Sequence, residues 1–388
     1  MSELLEYFDE SHRILRGMLR KFVEKEITPH VEEWEEAGGF PLELYKKAGE
    51  AGVLGVGFPE EYGGGGGDVF HQVVAAEELI RSGSGGVAAS LGTLNIAIPP
   101  ILALGTEEQK QKFIPPVLKG EKIASLGITE PSAGSDVANL RTRAVRDGDY
   151  YVVNGSKTFI SSGTRADQVT LAVRTGGPGA HGISLLVVDT TTPGFHVSKS
   201  IKKMGWWSSD TAELSFEDMK VPVENLLGQE NQGFYGIMHN FQMERLTLCV
   251  MANITAELAL EHAMKYAHER EAFGRPIDGF QVTRHKLVDM AMMVNISKEY
   301  TYRVAAKMNA GIDQVTEVSM AKIFSTEMCD KVCSHAVQIF GGYGYMREYP
   351  VERLFRDSRI LSLGGGTTEI MKEIISKRIL PAKGQSAA

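Results

Sequence analysis

The hydrophobic period of this chain changes twice along its 388 residues, and that change limits what it can fold into. Up to about residue 121 apolar residues recur at helical spacing, from 122 to 230 they alternate, and from 231 onward the helical spacing returns. A period of 3.6 buries one stripe of a helix and a period of two buries one face of a strand, so neither pattern can stand in for the other. The expected organisation is an α+β multidomain chain: an N-terminal helical domain (1–121), a middle antiparallel β sandwich or barrel (122–230) and a C-terminal four-helix bundle (231–388).

In the first segment Leu4, Leu5, Phe8, Leu15, Met18, Leu19, Phe22 and Val23 predict a helix that ends by Pro29. A second helix is expected over 42–51, before Gly52. The glycines at 63–67 predict a loop, after which Asp68 caps a helix ending near Gly83. An apolar helix is expected over 87–104, and Thr106 with Gln109 forms a capping box for the next. In the middle segment the runs IASLGI, RTRAVR, YYVVNG, KTFIS, VTLAVRT, ISLLVVD, FHVSKS and ELSFED are rich in β-branched and aromatic residues and are broken by turns such as Asp147-Gly148. A G-x-G-x-x-G at Gly177, Gly179 and Gly182 joins two of these runs and opens no helix, so it reads as a hairpin loop. Long helices are predicted at 231–268, 279–309, 313–340 and 367–378, with connections short enough for an up-and-down bundle.

Charge narrows the partners. The 41 Lys and Arg against 49 Asp and Glu leave a net charge of -8, with no basic run, so nucleic acid is not an expected ligand. No stretch approaches the roughly 20 apolar residues of a membrane span, and the first residues lack a secretory or transit pattern, so a cytoplasmic protein is expected. Cys249, Cys329 and Cys333 are the three cysteines, too few for a disulfide framework and suited to a reducing compartment. Cys329, Cys333 and His335 lie close in sequence, but no second cluster and no H-E-x-x-H accompany them, so no metal site is expected.

The segment FQMERLTL (241–248) puts a carboxylate on an apolar stripe. On a helix, Ile237, Phe241, Glu244, Leu248, Met251, Thr255 and Leu258 share one face. An ionised carboxylate buried without a partner costs several kcal/mol and answers with a raised pKa, which suits a general base near neutral pH. An ion pair between Glu244 and Arg245, or simple exposure to water, remains open at this point.

Four further stretches combine glycine, hydroxyls and aromatics. GITEPSAGSD (127–136) follows a strand and could close around a polar ring or a phosphate. NGSKTFISSG (154–163) places Phe159 before Ser161 and Ser162. HEREAFGRPIDGFQ (268–281) is a charged helix end, Phe273-Gly274 and a proline turn. The stretch 338–369, QIFGGYGYMREYPVERLFRDSRILSLGGGTTE, carries two glycine clusters, the second beside a helix start at Thr367. Each alone could be a turn.

Together, in this order and over essentially the whole chain, they resemble the acyl-CoA dehydrogenases, flavoenzymes that oxidise acyl-CoA thioesters to trans-2-enoyl-CoA and share this helical, β, helical order. The resemblance implies FAD as cofactor, an electron-transfer flavoprotein as acceptor, a place in fatty-acid or branched-chain catabolism and a homotetramer built as a dimer of dimers. It implies that Leu126, Ile128, Thr129 and Ser135 contact the flavin and its pyrophosphate, and that Phe159, Ile160 and Ser161 stack on the isoalloxazine and bond its edge, although many members have Trp at the position of Phe159. It implies that Arg270, Phe273, Gln281, Gln338, Gly341 and Gly342 reach the FAD of a neighbouring subunit, and that Thr367 and Glu369 lie at the FAD. Ser135, Arg245, Gly364 and Gly365 are expected at the substrate.

One departure is informative. Many members carry the catalytic glutamate where this chain has Gly365, which cannot take a proton. The long-chain and isovaleryl-type members carry it on the first long C-terminal helix, in a segment similar to QMERLTL, and that position is Glu244. The expected step is removal of the α-proton by Glu244 as the β-hydrogen leaves as hydride to the flavin. The competing expectations are an acyl-CoA oxidase and a fold-retaining member without a base. A glutaryl-type decarboxylating enzyme is disfavoured because no Arg lies between Arg81 and Arg141, and a hydrolase because there is no G-x-S-x-G.

Overall fold

The computed structural model describes residues 5–380, apart from the side chains of Leu5, Tyr235, Met238, His239 and Asn240, so Leu4 of the first predicted helix lies outside it. The N-terminal part is helical: α1 Glu10–Glu26, α2 Val31–Ala37, α3 Glu43–Glu50, α4 Val69–Ile80, α5 Gly85–Leu91, α6 Leu94–Ala97, α7 Pro99–Leu104, α8 Glu107–Phe113 and α9 Pro115–Leu118. Asp68 caps α4 through the amides of Phe70 and His71 (3.0 and 3.1 Å), and Thr106 with Gln109 closes the predicted capping box on α8. The single helix expected over 87–104 is three short ones. Gly92 ends α5, and Pro99 and Pro100, which cannot donate within a helix, open α7.

The middle part is one eight-stranded sheet: β1 Ala124–Gly127, β2 Arg143–Asp147, β3 Tyr150–Ser161, β4 Gln168–Arg174, β5 Ile183–Asp189, β6 Phe195–Ser200, β7 Thr211–Pro222 and β8 Leu226–Leu227. The order is β6-β7-β3-β2-β4-β5-β8, with β1 added on β4. Most pairings are antiparallel, but β1 runs parallel to β4 and β2 meets β4 in parallel at Arg143 and Arg174. Inward residues from strands far apart in that order, such as Leu171, Leu186, Leu214 and Phe216, form one cluster, so the sheet curls around its own core. The opposite faces of β4 and β5, through Ala172, Leu185 and Val187, join the core made by the helices. Gly177, Gly179 and Gly182 lie in the hairpin between β4 and β5.

The C-terminal part contains α10 Gly233–Glu269, α11 Gln281–Asn309, α12 Val315–Phe340, α13 Pro350–Ser358 and α14 Thr368–Ile379, with a short hairpin, β9 Glu271–Ala272 and β10 Arg275–Pro276, between α10 and α11. The four predicted long helices are present within about two residues, the usual uncertainty of helix ends. The bundle also holds α13, which opens with Pro350 at its first position. No single helix among the described residues is long and apolar enough to cross a membrane.

Candidate active site

Helix α10 holds Glu244 where the periodicity places it: Ile237, Leu248, Met251, Thr255 and Leu258 on the same stripe are all buried. The residue keeps partial exposure, but its Oε2 is inaccessible and has no hydrogen-bond partner. Arg245 is buried as well, its Nε is equally unpartnered, and its guanidinium lies 5.7 Å over the Phe241 ring rather than on the carboxylate. Arg245 therefore acts on Glu244 through its charge alone. Burial pushes the Glu244 carboxyl above the usual carboxylate range, and the charges of Arg245 and Lys322 oppose that rise without cancelling it.

Facing the carboxylate is the glycine stretch 364–366. Gly365 and Gly366 have φ of 62° and 96°, which side chains seldom adopt. A Cβ at Gly365 would come within 3.3 Å of Glu244 Oε1 and 2.6 Å of Leu248 Cδ1. A side chain at 365 and the Glu244 carboxylate thus compete for one space, so the two base positions considered from the sequence are a single place in the fold. Behind the glycines, Lys322 of α12 donates from Nζ to the Gly364 carbonyl at 2.6 Å and to the Gly366 carbonyl. Thr367 caps α14 through the amide of Ile370 at 3.4 Å. Glu369 is exposed in the first turn of that helix, and its own backbone N–H and Thr367 hold its carboxyl below the usual range.

The strand-end loop and the aromatic segment are tied together. Lys157, fully buried on β3, donates to Glu130 Oε1 (2.8 Å) and to the Ile128 carbonyl (3.0 Å). Glu130 accepts in addition from the amides of Arg141 (2.6 Å) and Thr142 (2.8 Å), and the Thr158 amide donates to the Thr129 carbonyl at 2.9 Å. Burial lowers the Lys157 ammonium to about 8 against the pull of Glu130. Between Lys157 and Ile160 the register of β3 on β7 slips, and this bulge presents Phe159 at φ 60° and 66% exposed. Leu126 is half-buried on β1, Ile128 and Ile160 are buried, and Thr129 and Ser161 are partly exposed beside the bulge. Ser135 is exposed on the loop with no contact that fixes it to the others. An exposed aromatic in a strained conformation, next to hydroxyls and a loop braced by a buried ion pair, fits a flat, polar-edged ring such as a flavin.

Ser162 Oγ, at the end of the aromatic segment, lies 3.1 Å from Thr93 Oγ1, between α5 and α6. The next residues, Leu94 and Asn95, line a narrow cavity of about 50 Å³ that Thr247 and Met251 close from α10, one to two turns beyond Glu244. Leu54, Leu79 and Leu91 line it as well.

The remaining predicted residues lie elsewhere. Arg270, Gly341 and Gly342 line a separate concavity of about 550 Å³ with Tyr266 and Tyr343, and the Arg270 guanidinium sits 5.6 Å over the Tyr343 ring. Phe273 is 96% exposed at φ 52°, and Gln281 and Gln338 are exposed. At about 1.5 Å per residue, Arg270 lies roughly 39 Å from Glu244 along α10, so one chain does not bring the two groups together. The Cys329 and Cys333 sulfurs are 3.9 Å apart and buried on successive turns of α12. Among the described residues His12, Asp68 and His71 have ligand atoms within 4.8 Å of one another, but these serve two interlocked capping boxes at the starts of α1 and α4.

Models of the N-terminal, middle and C-terminal domains of acyl-CoA dehydrogenase match residues 9–121, 125–219 and 231–380. An acyl-CoA dehydrogenase of Bacillus subtilis is 43% identical over 369 residues, 95% of this chain and 97% of that protein. The chain belongs to the acyl-CoA dehydrogenase family. The rat mitochondrial long-chain specific acyl-CoA dehydrogenase is 38% identical over 376 residues, 96% of this chain and 87% of its own. Among solved structures, a probable acyl CoA dehydrogenase of Mycobacterium abscessus is 55% identical with a TM-score of 0.95, covering 96% of this chain and 100% of its own. An acyl-CoA dehydrogenase of Bacillus anthracis complexed with FAD is 33% identical with a TM-score of 0.91, covering 97% and 67%. The protein is thus an FAD-dependent acyl-CoA dehydrogenase that oxidises acyl-CoA thioesters.

Three buried charged groups that brace these segments escape sequence reading: Glu130, Lys157 and Lys322. For Lys157 a signal existed, since it falls on the inward register of β3 with Tyr151 and Val153, where a lysine needs a buried partner. For Lys322, between apolar residues of α12, the signal is the same in helical period.

Proposed function

We propose that Glu244 is the base of this acyl-CoA dehydrogenase. Its carboxylate sets Oε1 beside the cleared position of Gly365 while Oε2 is buried and unpartnered, and this observation carries the reading. The narrow cavity beyond Thr247 and Met251 takes the acyl chain, which sets the thioester's α-carbon beside the carboxylate. Amides in the first turn of α14 polarise the thioester carbonyl, acidifying the α-proton. Glu244 then takes that proton, and an apolar wall of Ile237, Leu248 and Met251 keeps bulk water from it. FAD, when bound, supplies the acceptor for the β-hydride. Thr129, Ser135 and Phe159 to Ser161 would hold it from this chain, together with Leu126, Ile128, Thr367 and Glu369. Arg245, Gly364 and Gly365 border the thioester.

Arg270, Phe273, Gln281, Gln338, Gly341 and Gly342 serve the FAD of a second subunit, which accounts for their distance from Glu244, and the chain works as a homotetramer. Domain limits near 121 and 230, a cytoplasmic location and a role in β-oxidation complete the proposal. The direct test follows α-proton exchange of a bound acyl-CoA in deuterated buffer. Wild-type protein exchanges it and Glu244→Gln slows exchange by at least about a hundredfold, the usual worth of a positioned base. Undiminished exchange in Glu244→Gln removes Glu244 from the role.

A further inference from the structure

Lys322 is 1% exposed, in the middle of α12, and lies between the glycine wall and α10. The connection from Ser362 to α14 is tied at its start by the Leu363 and Gly364 amides, which donate to the Ile360 carbonyl at 2.9 Å, and at its end by the Thr367 cap. Between these ties run three consecutive glycines, the residues with the most backbone freedom to lose. Among the described residues, the side-chain bonds of these glycines to the rest of the protein are those from Lys322 Nζ to the carbonyls on either side of Gly365.

The charged and titratable groups facing the ammonium are Glu244, Arg245 and Cys249 of α10; the wall itself offers carbonyls. Burial lowers the Lys322 ammonium to about 8, with Cys249 and Glu244 raising it and Arg245 lowering it. Burying a lysine without a salt bridge is costly, and a merely structural site could be filled by an apolar side chain at less cost.

We infer that Lys322 is a positioning residue for proton abstraction: it ties Gly364 and Gly366 into one rigid wall that keeps Gly365 against the Glu244 carboxylate, and it sets a fixed positive charge beside that base. This rests on Glu244 being the base. Two consequences follow. Without the clamp the wall moves and the carboxylate loses its fixed place, so the chemical step slows while binding of the distant CoA portion is unaffected. Without the charge the ionised carboxylate is less favoured, so the acid limb of the pH profile moves to higher pH.

The test is Lys322→Met, which keeps an unbranched apolar stem of nearly the same length and removes donors and charge. Expected per bound flavin are a kcat reduced about tenfold or more, a KM within about threefold, an acid limb of kcat/KM moved up by about half a unit or more, and faster amide exchange over 364–367. Lys322→Arg, which keeps the charge, should leave the acid limb near its wild-type position. A lysine that only supports the fold would lower the melting temperature and flavin content of Lys322→Met while leaving per-flavin kcat and the acid limb unchanged, and that result overturns the inference. Glu244→Gln assayed in parallel separates the two readings. If Glu244→Gln is active, the assignment of the base has failed. If Glu244→Gln is inactive and Lys322→Met behaves as wild type, only the role of Lys322 has failed.

Discussion

At the scale of single residues, the site depends on a carboxylate that is worth less to the fold than to the chemistry. Glu244 holds its proton more tightly in the folded chain than in the unfolded one, because burial disfavours the anion. Between the ordinary carboxylate pKa and the raised folded value the folded state binds more protons than the unfolded, so stability falls as pH rises through that window. Glu244→Gln should therefore melt higher than wild type at neutral pH, and the gap should close below the ordinary carboxylate range. Melting curves at several pH values check this. Gly365→Ala tests the facing wall: its positive φ and the 2.6 Å approach to Leu248 Cδ1 make any Cβ strained. It should cost about 1–2 kcal/mol of stability and slow turnover at a nearly unchanged KM. Glu244 was legible from sequence as an acid on an apolar stripe; whether Arg245 would neutralise it was not, because rotamers decide that.

At the scale of elements, the periodicity carried the long helices and the β segment because burial of one face is a local property of the pattern. It did not carry pairing partners. The alternation in IASLGI says that β1 is half-buried but not that it lies parallel to β4, which is settled by how the segment 128–167 returns. Nor did it resolve the apolar run 87–104, where Gly92 and the prolines outweigh continuous hydrophobicity. The flavin-side loop was legible as composition only; its bracing by Lys157 and Glu130 depends on two strands meeting. Breaking a buried pair on one side costs about 3–5 kcal/mol. Lys157→Met should therefore lower the melting temperature and leave the purified protein poor in flavin, and Lys157→Met with Glu130→Met should recover part of the stability. Calorimetry with flavin absorbance per chain measures both.

At the scale of the whole molecule, residues distant in sequence converge: Glu244 on α10, Lys322 on α12 and Gly365 before α14 form one site, while Arg270 and Gly341 form another at the far end of the bundle. The exposed apolar side chains of α11, Val282, Val288, Met292 and Ile296, offer a face for a second copy. Sedimentation should give a tetramer, and Met292→Glu with Ile296→Glu should yield smaller species; a monomeric wild type with full flavin content would contradict subunit sharing. Removal of the α-proton by Glu244 is read out by anaerobic mixing of FAD-loaded Glu244→Gln with acyl-CoA. Flavin should be bound at the wild-type level and its absorbance should not bleach; bleaching at the wild-type rate would mean that another group takes the proton.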